Sequence, residues 1–180
     1  LLEDLRNNSL SPRARLASKS LLLLVVFISS PGLVPSSIGL WGIDWLLGFS
    51  WVALLVTLFF SVGFINAVNT GDGSNGLVAG SIAVTCFIFL SDTNSIALQS
   101  GFYGASLFLL FNVISGRLFL GDAGAYGIGA AMLLIGLEAL TMGIVSLPFL
   151  AALYFYPCVD FSVSLLRRWH SGASLTAPDN

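Results

Sequence analysis

The chain has 180 residues, 56% of them apolar and only 9% charged, with a net charge of −2 and a mean hydropathy of +0.93. Soluble domains carry about 25% charged residues, so this composition excludes one. The apolar runs are continuous rather than alternating, which excludes a membrane β-barrel and points to an all-α, polytopic transmembrane helix bundle.

In chain order, Leu1-Leu2 reads as the end of an apolar segment, and Glu3-Asp4-Leu5-Arg6-Asn7 as a sudden polar turn after it. Ser11-Pro12-Arg13-Ala14-Arg15 comes next, with Lys19 close behind. Crossing a bilayer takes about 20 apolar residues. Six spans are predicted, at residues 16–33, 49–68, 75–90, 98–115, 123–140 and 143–161, within one membrane domain covering 1–180. The connector 34–48 is the longest between them, and the third span is short. The fifth is rich in Gly and Ala, and its Ala125-x-x-x-Gly129 pair suits close helix packing. Cys86 and Cys158 fall in apolar segments without metal-ligand spacing and read as buried free thiols. With no signal peptide, a start inside an apolar segment and an end in mid-loop, the sequence reads as part of a larger membrane domain.

Between the second and third spans lies a polar knot, Asn66-Ala67-Val68-Asn69-Thr70-Gly71-Asp72-Gly73-Ser74-Asn75-Gly76. An Asp at the bilayer centre costs roughly 2.5–3.5 kcal/mol. A plain loop needs far fewer side-chain oxygens than this one carries, so the knot reads as a site at the membrane edge. It contains a literal G-x-G-x-x-G from Gly71 to Gly76, with Asp92 about twenty residues on, as in a dinucleotide-binding fingerprint. The context rejects that reading: the flanking runs are membrane-length, and no strand–helix–strand alternation surrounds them.

Charge fixes the expected orientation. Six spans put residues 1–15, 69–74, 116–122 and 162–180 on one side, where all seven basic residues lie or border: Arg6, Arg13, Arg15, Lys19, Arg117, Arg167 and Arg168. By the positive-inside rule that side is cytoplasmic. It also receives Asp4, Asp72 and Asp122, whereas Asp44, Asp92 and the outer end of the fifth span with Glu138 go to the other. Three polar turns thus bring carboxylates to one level, with glycines allowing close backbone approach. Mg²⁺ favours one or two carboxylates plus substrate phosphates, so the pattern suits a divalent cation and a phosphorylated ligand. Helix capping is the plainer account of each Asp taken singly.

These turns, in this order, resemble the polyprenyl-phosphate N-acetylhexosamine-1-phosphate transferases. That family is glycosyltransferase family 4, related to the muramoyl-pentapeptide phosphotransferase of cell-wall synthesis. Leu1-Leu2-Glu3-Asp4-Leu5-Arg6, with Ser11 to Leu16 behind it, is similar to the family's acidic motif and its trailing basic segment. Asn66 to Leu77 is similar to its Asn/Asp/Gly motif, and Phe119-Leu120-Gly121-Asp122-Ala123-Gly124 to its metal-site motif. Asp160 to Arg168 and on to Asp179 is similar to the lead-in to its last cytoplasmic loop. The chain departs from the family at Glu3, at Asn7 and at Asn75, where relatives carry Asp, Lys and Asp respectively. The family's histidine motif would fall after Asn180, and His170 reads as a surface histidine.

The resemblance implies a fold of about ten or eleven helices, of which this chain holds about six, and a piece inactive by itself. It implies an enzyme of a bacterial inner membrane, multi-pass, with its site on the cytoplasmic face. Its partners would be a UDP-N-acetylhexosamine, polyprenyl (undecaprenyl) phosphate and membrane lipid, with no nucleic acid and room for a homodimer. Sugar-1-phosphate would pass to the lipid phosphate with release of UMP, with Mg²⁺ or Mn²⁺ as cofactor, in peptidoglycan-type or lipopolysaccharide synthesis. It nominates Asp4, Asp72 and Asp122 as catalytic, with Asp122 the metal ligand. Asn69, Asn75, Arg13, Arg15 and Arg117 are nominated as substrate-binding. The competing class is a secondary transporter with discontinuous helices, whose polar residues should sit at mid-bilayer and recur in two repeats.

Overall fold

The computed structural model of the protein describes residues 11–73, 76–90, 95–116 and 119–170, and every regular element among them is helical. Helix α1 (Pro12–Ser29) starts where Ser11 accepts a hydrogen bond from the Ala14 N–H at 3.2 Å and Pro12 supplies a preset φ. A 3₁₀ turn, Pro31–Leu33, and a short helix α2 (Ile43–Leu47) lead into α3 (Ser50–Gly71). The connector is tied by Asp44, whose carboxylate accepts the Ile38 N–H at 2.7 Å. That bond, ahead of any burial, holds the Asp44 carboxyl below its ordinary range. Next come α4 (Leu77–Leu90), α5 (Ile96–Ser115), α6 (Gly121–Thr141), α7 (Leu147–Leu153) and α8 (Phe155–His170).

Helix α3 is the hub, packed against α1, α6 and α8, while α4 and α5 form a close hairpin. The core joins Phe27 of α1, Phe64 and Val68 of α3, Ile82 and Phe89 of α4, and Met132 of α6. The small residues of α6 let it approach α3. A Cβ on Gly129 would lie 3.2 Å from Val68 Cβ and 3.4 Å from the Ile65 Cα. Ala125, one turn earlier on the same face, is fully buried.

Among the described residues, α3, α5 and α6 are long and apolar enough to cross a membrane. A fourth crossing results if α7 and the first part of α8, bent by 69°, form one broken span. The predicted segment 16–33 is α-helical only as far as Ser29, in a helix whose first two turns carry Arg13, Arg15 and Lys19, and α4 has only 14 residues. At 1.5 Å per residue α4 is about 21 Å long, short of a hydrocarbon core of about 30 Å. The predicted sixth span is two helices because Pro157 has no N–H for the Leu153 carbonyl and its ring crowds that carbonyl. Tyr154 fills the break. It is buried, stacks on Phe64 with ring centroids 4.8 Å apart, and donates its hydroxyl to the Met132 carbonyl at 2.6 Å. Cys86 is a buried free thiol, but Cys158 is exposed, a correction to the sequence reading: α8 presents that side away from α3.

Candidate active site

The polar end of the bundle is built where α1 and α6 begin and α3 ends. Asp72 stands immediately after the last turn of α3, and its carboxylate reaches the start of α6. One oxygen accepts the Gly121 N–H at 3.0 Å and the other faces the Leu120 N–H at 3.4 Å. Gly121 has φ +67°, a left-handed conformation that turns its N–H toward Asp72 and that a side chain would strain. Helix starts leave N–H groups without intrahelical partners, and a carboxylate there also complements the helix dipole. Burial pushes the Asp72 carboxyl above its ordinary range; the two N–H bonds oppose that shift, and the nearby charge of Asp122 adds to it.

Asp122 lies in the first turn of α6 and pairs with Arg15, from the first turn of α1, at 2.5 Å between Nη1 and Oδ2. The two residues are 107 positions apart. Lys19, one turn further along α1, donates to the Asn66 side-chain oxygen and sits 4.0 Å from the centre of the Tyr126 ring. Asn66 in turn donates to the Val62 carbonyl at 2.9 Å, which orients its amide. Asn69, Asp72, Gly73, Phe119, Gly121 and Asp122 line one open cleft of about 250 Å³. A larger cavity, about 840 Å³ between α4, α5 and α6, is mostly apolar, with Glu138 in its lining, and none of these site charges lines it.

The structure therefore brings together Asp72, Asp122, Asn69 and Arg15 of the sequence-nominated residues. Arg13 is exposed on α1, two positions before Arg15. Asp4, Asn75 and Arg117 lie outside the described residues. Sequence reasoning left three participants unassigned: Lys19, Asn66 and Tyr126. Lys19 was legible only as a basic residue near a helix start. A fourth is Asn112, a buried polar residue in the apolar α5, whose side-chain oxygen accepts the Gly76 N–H and so ties down the end of the knot. A lone Asn within a membrane-length run was its only signal.

The donors facing the cleft, two carboxylates and an amide, are hard oxygens without sulfur or imidazole. Among the described residues no three His, Cys, Asp or Glu side chains gather as a cage. That set fits Mg²⁺ or Mn²⁺ held by one or two carboxylates and completed by ligand phosphates, and does not fit a closed structural metal. The two cations, Arg15 and Lys19, stand beside the same cleft and match anionic oxygens. The break between α7 and α8, by contrast, is closed by an aromatic ring and an internal hydrogen bond rather than lined with ligands.

A family model described as glycosyl transferase family 4 matches residues 1–140. The chain is similar to several curated phospho-N-acetylmuramoyl-pentapeptide-transferases. It is 36% identical over 132 residues to that of Synechococcus sp. (strain JA-2-3B'a(2-13)), covering 70% of this chain and 38% of the relative. With that of Clostridioides difficile (strain 630) it shares 32% over 108 residues, 56% of this chain and 33% of the relative. With that of Bacillus licheniformis it shares 30% over 140 residues, 73% of this chain and 43% of the relative. The chain thus spans 33% to 43% of the length of these relatives. No solved structure matches it.

Proposed function

The chain belongs to glycosyl transferase family 4, and on that premise we propose that it is the site-bearing part of a membrane sugar-1-phosphate transferase. The donor in this reading is a UDP-N-acetylhexosamine, the acceptor polyprenyl phosphate, and UMP the leaving product, in envelope polysaccharide or peptidoglycan-type synthesis. The observation that carries it is the convergence of Asp72 and Asp122 on one cleft beside Arg15 and Lys19.

The chemistry asks for charge management. A phosphate monoester has a second pKa near 6 and is largely dianionic at neutral pH, so the acceptor oxygen needs little help from a base. It forms a bond to the sugar-bearing phosphorus of the donor, and the bond from that phosphorus to the oxygen of UMP breaks. Both partners are anions, so positioning and neutralisation dominate. Asp122 would hold a Mg²⁺ or Mn²⁺ ion, which when bound neutralises phosphate oxygens and orients them, with Asp72 and Asn69 across the cleft around the nucleotide-sugar. Arg15 and Lys19 offer positive charge to the same phosphates. Asn66 and Tyr126 hold the Lys19 ammonium in place. Asp4 as a positioning group or base, and Arg13, Asn75 and Arg117 as substrate contacts, complete the proposal.

Membranes containing the full-length protein should release UMP from UDP-N-acetylglucosamine only when undecaprenyl phosphate and Mg²⁺ are both supplied. Release with neither acceptor nor metal, or uptake of solute without UMP release, would replace this reading with a hydrolase or a carrier.

In this proposal the cleft faces the cytoplasm from a bacterial inner membrane, a reading supported by the basic residues at that end. With exposed Cys158 changed to serine, Ser36→Cys should be labelled by an impermeant thiol reagent from outside intact spheroplasts. Gly73→Cys should react only after the membrane is opened. Labelling of both positions from one side would overturn the proposed orientation.

A further inference from the structure

The contact between Arg15 and Asp122 places a guanidinium on the carboxylate that the proposed function gives to the cation. We infer that Arg15 is a resident counter-ion of Asp122 and a positioning residue: it leaves the carboxylate when a divalent cation arrives and is handed to a ligand phosphate. This rests on the metal-dependent reading above and adds to it an order of binding.

Three features of the site carry the inference. Asp72, the other carboxylate of the cleft, is committed to the Leu120 and Gly121 N–H groups, so Asp122 is the carboxylate whose partner can be exchanged. Lys19 is held by Asn66 and the Tyr126 ring and stays in place. The Arg15 and Asp122 side chains are about one-third exposed, at 31% and 33%, so the pair is not sealed in a core, and Asp122 itself lines the cleft.

Charge then sets the sequence of events. With Arg15 and Lys19 facing Asp72 and Asp122, the formal charges of the four cancel: two positive against two negative. A dication on Asp122 and a guanidinium on the same oxygen repel each other, so Arg15 gives up Asp122 and the cleft acquires a positive excess. A pyrophosphate bearing several anionic oxygens removes that excess, and the planar fork of Arg15 suits phosphate oxygens. Arg15 therefore weakens the binding of metal alone and strengthens the binding of metal and pyrophosphate together. By linkage each of these two ligands must tighten the other by the same factor.

The test uses the full-length protein in lipid nanodiscs, with Mn²⁺ followed by electron paramagnetic resonance and inorganic pyrophosphate as second ligand. In the wild type, saturating pyrophosphate should tighten Mn²⁺ by about fivefold or more, the low end of ordinary coupling between sites. Arg15→Gln should tighten Mn²⁺ alone by about fivefold and lose most of the coupling. Arg167→Gln, the same charge change at an exposed position of α8, should leave the Mn²⁺ affinity within about twofold. Unchanged or weaker Mn²⁺ binding in Arg15→Gln, with Asp122→Asn still abolishing it, would overturn the counter-ion role and leave the metal site standing. Equal tightening in Arg167→Gln would reduce the effect to net charge and overturn it as well. Mn²⁺ binding in Asp122→Asn equal to the wild type would remove the metal site and the exchange together.

Discussion

Asp122→Asn in the full-length protein should insert at normal levels and lose sugar-phosphate transfer by on the order of 10²-fold or more, the scale on which a key electrostatic stabiliser acts. Asparagine keeps the size of the side chain and one oxygen able to accept from Arg15, so the start of α6 retains its neighbours. It removes the negative charge, and with it the hard anionic ligand that a Mg²⁺ ion needs. The control sits on the same helix. Glu138→Gln removes a carboxylate 16 residues along α6, about 24 Å away at helical rise, and should leave the rate within about twofold of the wild type, as remote surface changes usually do. Transfer measured at saturating Mg²⁺ and matched protein levels decides the matter. Equal rates in Asp122→Asn and Glu138→Gln would leave Asp122 as nothing more than a helix-start residue paired with Arg15.

Gly129→Leu should lower transfer about as severely without touching a polar atom of the cleft. Its Cβ alone would meet Val68 and the Ile65 backbone at 3.2 and 3.4 Å, and the rest of the side chain has no space between α3 and α6. Overpacking of this kind costs about 1–3 kcal/mol and is relieved by moving backbone. Here the backbone that moves carries Asp72 on one helix and Asp122 on the other. Helix propensity runs the opposite way, since leaving glycine favours a helix by about 1 kcal/mol. A loss therefore has to come from the interface. Gly127→Leu, two residues earlier on the same helix, meets nothing within 4 Å of its Cβ and should retain most activity. Thermal unfolding in detergent should show Gly129→Leu melting earlier than Gly127→Leu. Matching melting points and matching rates would show that the approach of α6 to α3 does not set the cleft.

Much of this architecture was legible because apolar length and charge placement are one-dimensional properties. The run from Phe49 to Val68 announced a helix by composition, and the Ala125-x-x-x-Gly129 pair announced a close approach before its partner was known. Asp72 and Asp122 could be assigned to one end because each borders a long apolar run. Pairing is another matter. Nothing local to Arg15 says that its partner is Asp122, and nothing near Lys19 names Asn66 or Tyr126. Those contacts exist only once α1, α3 and α6 have packed. The break before Phe155 had a visible cause in Pro157, but a proline near a helix start is as common as one that ends a helix, and the apolar run hid the distinction. Asn112 was passed over because a single amide in a long apolar segment has no local partner; its partner is the N–H of Gly76, 36 residues earlier.

The separation of Arg15 from Asp122 also has a meaning in time. Chains leave the ribosome at about 5–20 residues per second, so the 107 residues between the two correspond to roughly 5–20 seconds of synthesis. Helix α1 must settle during that interval with Arg15 and Lys19 facing water and lipid headgroups at the membrane surface. In the proposed orientation the same cations hold their end of the helix on the side where synthesis occurs. The residues proposed to neutralise ligand phosphates would thus begin as anchors, and would take up that second role only when the ribosome has delivered α6.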